Sequence, residues 1–470
     1  MKRILQWQSP AGKFIILLFL LKVSAMLAGS EVTGWRGDGT GLYPEAVPVI
    51  EWSTEKNVIW KTPTPGWSNA TPVITGGRLI ILAEPSTVIL LDRNTGAVTW
   101  QTPNTSRDII ANEAEAAVFK EGEAKARAAM HAVQMELQPV RKKLGEVNRK
   151  LHKNRNNEAL NKEKKELEDQ IKTIEARLKP HERYFMPAAQ KANGYTSATP
   201  VTDGRRIYAV FGTGITVCLD MTGKRIWSRF LEHPPHRYGS CMSPLLVNGV
   251  LAVHYEHMFG LDPATGDMKW KTNSNWGWGT AVAENIGSEP LIFTCKGDVI
   301  RPDTGDIIVS GLHSLEYGGP VAGDGKIYYI QNNAVAYELP QAITANLDLK
   351  TAWQSRIRPD RYYGSPLCHN GLIYAITQNG ELSVLDAKTG ELMYKQAVLF
   401  PEKATVYPSI TLGGRHIFIS NEKGFTVVIE PGREFRQVAV NELEPFRSTP
   451  VFEGSRMYIR TLKHLYCIGK

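Results

Sequence analysis

Short apolar runs alternate with polar turns along most of the chain, and they recur in a unit of about forty residues. The clearest copy starts at Ser243-Pro244, passes through Asp262-Pro263-Ala264-Thr265-Gly266 and ends at Trp270. Its apolar runs, each of about four to six residues, predict short strands. Tight turns join them, because Asp accepts hydrogen bonds from the turn backbone and Gly takes the positive φ that a hairpin needs. Each unit therefore predicts a four-stranded antiparallel sheet.

Copies of this unit continue to the C-terminus. They start at residues 72, 200, 244, 281, 320, 366, 408 and 450. A single sheet of this kind cannot bury both of its faces, so the copies must close into a ring. The last copy ends at Lys470 after three strands, and Asn57–Thr62 offers the fourth. The sequence predicts an all-β, eight-bladed β-propeller of four-stranded antiparallel blades whose termini share one blade. The alternative is seven blades, if residues 281–355 contribute fewer.

Residues 107–180 interrupt this pattern with apolar positions spaced alternately three and four apart, as in a coiled coil. One such seam runs through Met130–Leu151 and a second through Leu160–Leu178. Antiparallel pairing aligns Leu151 with Leu160, Leu144 with Leu167, Val140 with Ile171, Leu137 with Ile174 and Val133 with Leu178. The pattern predicts an inserted antiparallel α-helical coiled-coil hairpin that needs no partner to fold. A spacer or docking role is favoured over a catalytic lid. Pro139 is expected to kink or divide the first helix.

Basic residues precede the apolar run Phe14–Leu21 and small residues follow it, which is the layout of a signal peptide over residues 1–28. Export to the periplasm or the extracellular space is therefore predicted. The run is too short for a membrane span, so membrane association would require that this segment stay uncleaved. The other predicted regions are an N-terminal extension at 29–56, the closing strand and first blade at 57–106, the hairpin at 107–180 and the remaining blades at 194–470.

The formal net charge of +8 is concentrated in the first thirty residues and in residues 104–191. The propeller itself is nearly neutral, which argues against a basic nucleic-acid-binding surface. The five cysteines are widely spaced and form no CxxC motif or adjacent pair. Buried, unpaired thiols are therefore favoured over disulfides or metal ligands.

The D-x-x-T-G-x-x-x-W repeat resembles that of the pyrroloquinoline-quinone-type propellers. This superfamily contains quinoprotein alcohol dehydrogenases and the non-enzymatic BamB-like outer-membrane assembly factors. The opening segment Trp35-Arg36-Gly37-Asp38-Gly39-Thr40-Gly41 is similar to that of exported members of unassigned role. The resemblance covers residues 35–102 and 194–470, and it is specific for the fold.

The resemblance also implies what a quinoprotein dehydrogenase would need. Such a site binds Ca²⁺ through carboxylate and amide ligands, stacks the quinone on a Trp, covers it with a disulfide between adjacent cysteines and uses an Asp as base. Here no two cysteines are adjacent, and the densest Asp positions, at Asp262, Asp267, Asp303 and Asp306, are accounted for by turns. We therefore expect no catalytic residue, no metal site and no cofactor. Pyrroloquinoline quinone with calcium remains the alternative.

One aromatic residue stands before each unit start, in the connection that leads from the outer strand of one blade to the inner strand of the next. These residues are Trp67, Tyr195, Tyr238, Trp276, Tyr317, Tyr362, Tyr407 and Phe446, with Arg237, Arg361 and Arg447 beside them. Because all such connections emerge on one face of a propeller, the set predicts a ring around the central funnel. Such a ring could hold a sugar, an anionic quinone or an extended peptide. The alternative is that each aromatic packs between blades.

The combined patterns predict an exported, non-enzymatic scaffold or binding protein, in line with the BamB-like branch. Its funnel face and hairpin would contact a protein partner or a component of the envelope. Two alternatives stay open: a quinone-dependent dehydrogenase with a divergent site, and a carbohydrate-binding propeller.

Overall fold

The computed structural model describes residues 32–236, 238–343 and 347–470. The predicted signal peptide and Arg237 lie outside these ranges. Seven antiparallel sheets of four consecutive strands follow one another along the chain, an eighth joins three C-terminal strands to one N-terminal strand, and a short parallel strand is added to one of the seven. The prediction of an eight-bladed propeller is therefore confirmed, and the seven-bladed alternative is wrong.

The strands of each blade are given from the channel outward. Blade 1 comprises β3 (Val73–Thr75), β4 (Arg78–Ala83), β5 (Thr87–Asp92) and β6 (Val98–Pro103). Blade 2 comprises β7 (Val201–Thr202), β8 (Arg206–Val210), β9 (Ile215–Asp220) and β10 (Arg225–Phe230). Blade 3 comprises β11 (Leu245–Val247), β12 (Val250–His254), β13 (Met258–Leu261) and β14 (Met268–Thr272). Blade 4 comprises β15 (Val282–Ile286), β16 (Glu289–Phe293), β17 (Val299–Ile300) and β18 (Ile307–Val309).

The second half of the ring repeats this order. Blade 5 comprises β19 (Val321–Gly323), β20 (Lys326–Tyr329), β21 (Asn333–Glu338) and β22 (Thr351–Arg356). Blade 6 comprises β23 (Leu367–His369), β24 (Leu372–Ile376), β25 (Glu381–Asp386) and β26 (Leu392–Ala397). Blade 7 comprises β27 (Thr411–Gly413), β28 (His416–Ser420), β29 (Phe425–Glu430) and β30 (Arg436–Glu442). Blade 8 comprises β31 (Val451–Glu453), β32 (Arg456–Arg460), β33 (His464–Ile468) and, from the N-terminal side, β2 (Val58–Pro63).

Five tryptophans of outer strands join neighbouring blades in the same way. Each indole Nε1 donates to a carbonyl in the turn of the next blade: Trp60 to Arg93 (3.2 Å), Trp100 to Met221 (3.0 Å), Trp227 to Pro263 (3.0 Å), Trp270 to Pro302 (2.9 Å) and Trp353 to Ala387 (2.9 Å). A Cβ on the turn glycine beneath each indole would lie only 2.4–2.7 Å from the ring. The T-G dipeptide of the repeat therefore serves blade packing as well as the turn.

The insertion forms a helical hairpin, which we call the arm. It consists of α1 (Glu113–Lys153) and α2 (Glu158–Ala176), followed by a 3₁₀ turn at Lys179–Tyr184. The side chains of Asn112 and Asn157 cap the two helix N-termini. The arm has its own apolar cluster, which contains all ten residues of the five predicted pairs together with Val147. Helix α1 runs unbroken through Pro139, so of the two expected effects Pro139 does not divide the helix, and a kink there stays a prediction.

The N-terminal extension enters the central channel, which the sequence did not indicate. Residues 32–52, which we call the plug, contact the inner strands of several blades. Val32 exchanges two backbone hydrogen bonds with Ile74 of blade 1. The short strand β1 (Leu42–Tyr43) pairs in parallel with β27 of blade 7. Between them, the buried Arg36 guanidinium donates to the carbonyls of Pro366 (2.8 Å) and Ile410 (3.0 Å) in blades 6 and 7.

Burial lowers the pKa of Arg36 to about 10, so this side chain is still a cation at neutral pH. It lies 5.3 Å from the ring centroid of Trp35, which stabilises a buried guanidinium through the negative face of the ring. Two backbone carbonyls and the face of the Trp35 ring therefore stabilise the buried positive charge of Arg36.

Within the described part of the chain, none of the helices has the length and apolar character needed to cross a membrane.

We expect opposite effects from adding a methyl group at the two glycines of α1. At Gly145 no atom lies within 4 Å of a new Cβ, so Gly145→Ala should stabilise the helix by about 1 kcal/mol. At Gly122 a Cβ would lie 2.3 Å from the Tyr184 ring, so Gly122→Ala should cost about 1–2 kcal/mol by displacing that ring. Amide hydrogen exchange over α1 should therefore slow in the first variant and accelerate in the second. Equal protection in both would contradict the packing of Tyr184 on α1.

Candidate functional site

A belt of hydrogen bonds links the inner ends of the blades. At each step, the backbone N–H at the start of one blade donates to a Ser or Thr hydroxyl of the next. The bonds run from Thr71 to Thr199 (3.1 Å), Thr199 to Ser243 (3.0 Å), Ser243 to Thr280 (3.1 Å), Gly319 to Ser365 (2.8 Å), Ser365 to Ser409 (3.0 Å), Ser409 to Thr449 (3.2 Å) and Thr449 to Thr71 (3.3 Å). The last bond closes the ring between blades 8 and 1.

The belt has one gap, between blades 4 and 5, where Gly319 supplies no hydroxyl. The main chains of the two blades approach each other closely there, because a Cβ at Gly319 would lie 2.3 Å from the Thr280 carbonyl oxygen. Glycine is required at this position by the close approach of two backbones.

A cavity of about 740 Å³ opens at the belt, on the face where the outer-to-inner connections emerge. Pockets for small ligands typically span about 300–1,000 Å³. Six belt hydroxyls line it, together with the Trp35 ring at the tip of the plug. The plug therefore closes the channel and contributes an aromatic surface to the cavity.

One sector of the lining, which we call the tryptophan wall, consists of His236, Tyr238, Trp276 and Trp278. The two indoles meet edge to face with centroids 4.7 Å apart. The imidazole of His236 stacks on Tyr238 at 5.1 Å and on Trp276 at 6.0 Å. Tyr238 is 40% exposed, although aromatic residues normally bury most of their surface.

The next sector, which we call the tyrosine wall, consists of Tyr317, Tyr363 and Tyr407. Their ring centroids are separated by 4.8 Å and 4.9 Å in succession. Burial and the neighbouring Glu316 raise the pKa of Tyr317, and burial and Glu422 raise that of Tyr407, so both phenols are neutral hydrogen-bonding groups.

Two guanidiniums border the tyrosine wall. Arg361 donates to the Tyr363 hydroxyl at 3.2 Å and lies 6.0 Å from the Tyr317 ring centroid. Arg447 lies over the Tyr407 ring at 5.3 Å and is paired with Glu422 at 2.9 Å. Arg361 forms no ion pair within the described residues, whereas Arg447 has a carboxylate partner.

The structure brings six of the predicted ring residues to the cavity: Tyr238, Trp276, Tyr317, Tyr407, Arg361 and Arg447. The other four described residues lie elsewhere. Tyr362 and Phe446 are buried in blade cores, and Trp67 and Tyr195 are half-buried outside the lining. Trp67 packs beside Gly194, and the Tyr195 hydroxyl donates to the Pro187 carbonyl. Arg237 is outside the described residues.

Several lining residues were missed by the sequence analysis. Trp278 and Tyr363 each stand within two residues of a predicted ring member, so the pattern located the connection and not the side chain that faces the cavity. The belt had a signal, because Ser or Thr directly precedes Pro at most unit starts, as in Thr71-Pro72. Trp35 could not have been placed, because nothing in the sequence indicates that the extension enters the channel.

The arm is fixed to the same face at its base. Lys179 pairs with Glu256 of blade 3 at 2.7 Å, and the side chain of Glu182 accepts from the His233 backbone at 3.3 Å. The chain then returns past the cavity, where the Ala192 carbonyl accepts from Asn69 (2.8 Å) and Arg447 (3.0 Å). The arm and the cavity are thus parts of one continuous surface.

The far end of the arm is strongly basic. Residues 141–165 contain ten Lys and Arg against three Glu. Three of these cations form ion pairs: Arg141 with Glu175, Lys143 with Glu163 and Lys164 with Glu168. The other seven form none within the described residues, and all seven are exposed: Lys142, Arg149, Lys150, Lys153, Arg155, Lys162 and Lys165. We call this region the arm tip.

The lining does not fit calcium and pyrroloquinoline quinone. Calcium takes six to eight oxygen ligands, usually including several carboxylates. Of the described lining residues, Glu316 alone carries a carboxylate. Cys241, the cysteine of the lining, is unpaired, and its thiol donates to the Trp278 carbonyl. Apart from Glu316, the oxygen ligands that the described lining offers are therefore neutral hydroxyls and amides.

Three side chains of the kinds that bind metal ions lie close together outside the cavity: Glu232, Glu256 and His257. Lys271 lies 3.3 Å from Glu232, and Lys179 lies 2.7 Å from Glu256. His257 Nδ1 is also 2.9 Å from Glu232. These carboxylates already have cationic partners, so the group is explained as the ionic contact between the arm base and blade 3.

Comparison with known proteins finds relatives that are similar in sequence. The protein-family model described as "Outer membrane protein assembly factor BamB" matches residues 43–178. A protein of that name from Yersinia pestis is 24% identical over 239 residues, covering 43% of this chain and 57% of the relative. Its counterpart from Moranella endobia (strain PCIT) is 26% identical over 294 residues, covering 58% and 70%. The chain thus spans little more than half of the Yersinia pestis protein.

Among solved structures, the quinohemoprotein alcohol dehydrogenase from Comamonas testosteroni aligns with 94% of this chain and 80% of its own, at a TM-score of 0.56 and 11% identity. A europium-containing methanol dehydrogenase aligns with 94% and 98%, at a TM-score of 0.54 and 10% identity. At such identities the likeness concerns the fold alone. Together with the eight blades and their tryptophan contacts, these matches show an eight-bladed β-propeller whose sequence is similar to that of the outer membrane protein assembly factor BamB, a propeller built from pyrroloquinoline-quinone-like repeats.

Proposed function

We propose that this protein is an exported, non-enzymatic scaffold that binds a protein partner of the cell envelope through the face that bears the arm. The observation that carries the proposal is the arm tip, where seven exposed cations have no carboxylate partner within the described residues. Export rests on the signal-peptide pattern of residues 1–28. The names of the two relatives, which are outer membrane protein assembly factors, support a role in assembly.

The physical case for a docking arm is that its fold is self-sufficient. Its apolar seam is buried between its own helices, so a partner is not needed to stabilise it. Unpaired lysines on exposed helix surfaces contribute little to stability. They attract an acidic surface over a distance of about 8–10 Å at physiological ionic strength. The partner surface is therefore expected to be acidic, and its association with the tip to weaken with added salt.

A photo-crosslinking residue at the exposed Ala159 of the tip should capture one discrete protein in intact cells. Neutralising Lys150, Lys153, Lys162 and Lys165 to Gln should abolish that adduct, because the tip would lose four of its cations. The matched control neutralises four cations nearer the arm base, Lys120, Lys125, Arg127 and Lys172, and should keep the adduct. An adduct that survives the tip variant, or a tip that binds anionic lipid vesicles and no protein, would contradict the proposal.

The quinone alternative makes a separate prediction. If the funnel held pyrroloquinoline quinone, titration with the quinone and Ca²⁺ would give stoichiometric, calcium-dependent binding at micromolar or lower concentration. We expect no saturable change in tryptophan fluorescence or heat up to high micromolar quinone, because the described lining offers one carboxylate. Saturable binding that a calcium chelator reverses would show that the protein is not a scaffold alone.

A further inference from the structure

We propose that the cavity binds an oligosaccharide, with sugar rings packed against the tryptophan and tyrosine walls. This inference concerns the cavity and is independent of the arm tip, on which the proposed function rests. It is carried by three features of the described residues: the aromatic walls, the belt hydroxyls and the small charge of the lining.

The wall aromatics lie outside the apolar cores of the blades. Tyr238, Trp276, Trp278, Tyr317, Tyr363 and Tyr407 belong to none of the apolar clusters found among the described residues. Tyr362 and Phe446, which are adjacent to cavity residues in sequence, do belong to such clusters. Six partly exposed rings around one cavity therefore require an explanation other than the core, and apolar surface retained at a concave site is characteristic of ligand binding.

The walls suit the faces of pyranose rings. A pyranose has a face of C–H groups that packs on an aromatic ring, while its hydroxyls remain at the edge for hydrogen bonds. Tyr and Trp provide this combination, because each joins a flat apolar ring to one polar group. The three tyrosines contact one another in succession, edge to face at 4.8 Å and stacked at 4.9 Å, and the edge-to-face indoles of Trp276 and Trp278 form a second aromatic group.

The belt supplies hydrogen-bond donors beside these walls. Each of the six lining hydroxyls accepts from the backbone of a neighbouring blade, and its own O–H donates no hydrogen bond among the described residues. A hydroxyl can accept and donate at once, so six donors remain for a ligand. The side chains of Asn69 and Asn193 add amides at the same cavity. Sugar hydroxyls both accept and donate hydrogen bonds, so they match these neutral hydroxyl and amide groups.

The charge of the lining favours a sugar over a strongly charged ligand. Among the described residues it comprises Glu316, the paired Arg447 and the exposed Arg361. Of these groups, a polyanion would meet two guanidiniums, one already neutralised, and a polycation would meet a single carboxylate. A sugar chain places no unpaired charge against the aromatic rings, and burying such a charge is costly. An acidic sugar would meet the same walls and use Arg361 in addition.

The test is calorimetric titration of the full mature chain with defined pentasaccharides. The neutral probes are cellopentaose, chitopentaose, maltopentaose and xylopentaose, and the acidic probes are pentameric galacturonate and mannuronate. We expect saturable binding of at least one probe, weakened about tenfold by Tyr363→Ala and by Trp276→Ala. Trp67→Ala is the matched control, because Trp67 occupies the corresponding connection of blade 1 and does not line the cavity; it should leave the affinity unchanged.

The outcomes separate the alternatives. Binding of acidic probes only, lost in Arg361→Gln, supports the proposal and identifies the ligand as an acidic glycan. No saturation by any probe at about 5 mM overturns it, since a Kd above 1 mM corresponds to less than about 4 kcal/mol of binding energy. Binding that Tyr363→Ala and Trp276→Ala both leave intact, or a proline-rich peptide that binds where sugars do not, also overturns it. Thermal unfolding of each variant excludes loss of fold as the cause, and the arm-tip variant should bind sugars normally.

Discussion

Replacing Trp270 by alanine is expected to lower the free energy of unfolding by about 3–5 kcal/mol, the usual cost of truncating a buried aromatic. The indole lies between blades 3 and 4, where it covers Gly305 and donates to the Pro302 carbonyl at 2.9 Å. Its removal opens a void between two sheets and leaves a buried carbonyl without its donor. Urea-induced unfolding followed by circular dichroism measures the loss.

The control for this variant is Trp278→Ala, which removes the same side chain from the cavity wall. Because Trp278 lies outside the apolar clusters of the described residues, we expect a loss below about 1 kcal/mol. Trp270→Phe should fall between the two, because it retains part of the packing and loses the hydrogen bond. Equal losses for the two alanine variants would show that the tryptophan contacts do not hold the blades together.

Gly319→Ala is expected to destabilise the protein by about 3 kcal/mol, at the upper end of the cost of overpacking. The new Cβ would lie 2.3 Å from the Thr280 carbonyl oxygen, so blades 4 and 5 must separate. The Thr280 carbonyl belongs to the backbone, and the new Cβ is bonded directly to the backbone of residue 319. Neither group can therefore move aside by rotation of a side chain. The measurement is again urea unfolding, combined with hydrogen exchange at the starts of both blades.

Gly432→Ala is the matched control for Gly319→Ala. The nearest atom to a Cβ at Gly432 is the Glu434 carbonyl oxygen, at 4.0 Å, and the residue does not have a positive φ. Alanine restricts the unfolded chain more than glycine, so this variant should be neutral or more stable by up to about 1 kcal/mol. A Gly319→Ala protein as stable as Gly432→Ala would mean that blades 4 and 5 are not in backbone contact.

Trp270 and Gly319 represent two kinds of contact that close the ring of blades. The tryptophans join blades near the outer strands through apolar area, and the belt joins them at the channel through hydrogen bonds from backbone to hydroxyl. Where the belt lacks a hydroxyl, at Gly319, direct backbone contact replaces it. The cavity therefore lies where the belt joins the blades, and a binding site with fixed geometry is best placed on such well-supported elements.

The candidate site was predictable to within one or two residues and no better. The sequence located the connections that surround the cavity, because they precede each unit start. It did not distinguish Tyr362 from Tyr363, yet the first is buried in a blade core and the second lines the cavity. Which of two adjacent side chains faces the cavity depends on the backbone direction in an irregular connection, for which there is no periodicity to read.

The sequence by itself determined the blades, the shared blade of the two termini and the helical hairpin, and it favoured eight blades over seven. Each of these follows from a local or repeated pattern: apolar runs with period two, turn residues at fixed offsets, and seams with period 3.5. Only the tertiary structure decided that the segment from Val32 to Tyr43 enters the channel and that Arg36 bonds to carbonyls more than three hundred residues away. It also decided where the belt is interrupted. Such contacts join single residues that are far apart in sequence and occur only once. No periodic pattern along the chain indicates which backbone segments will lie next to each other in the folded ring.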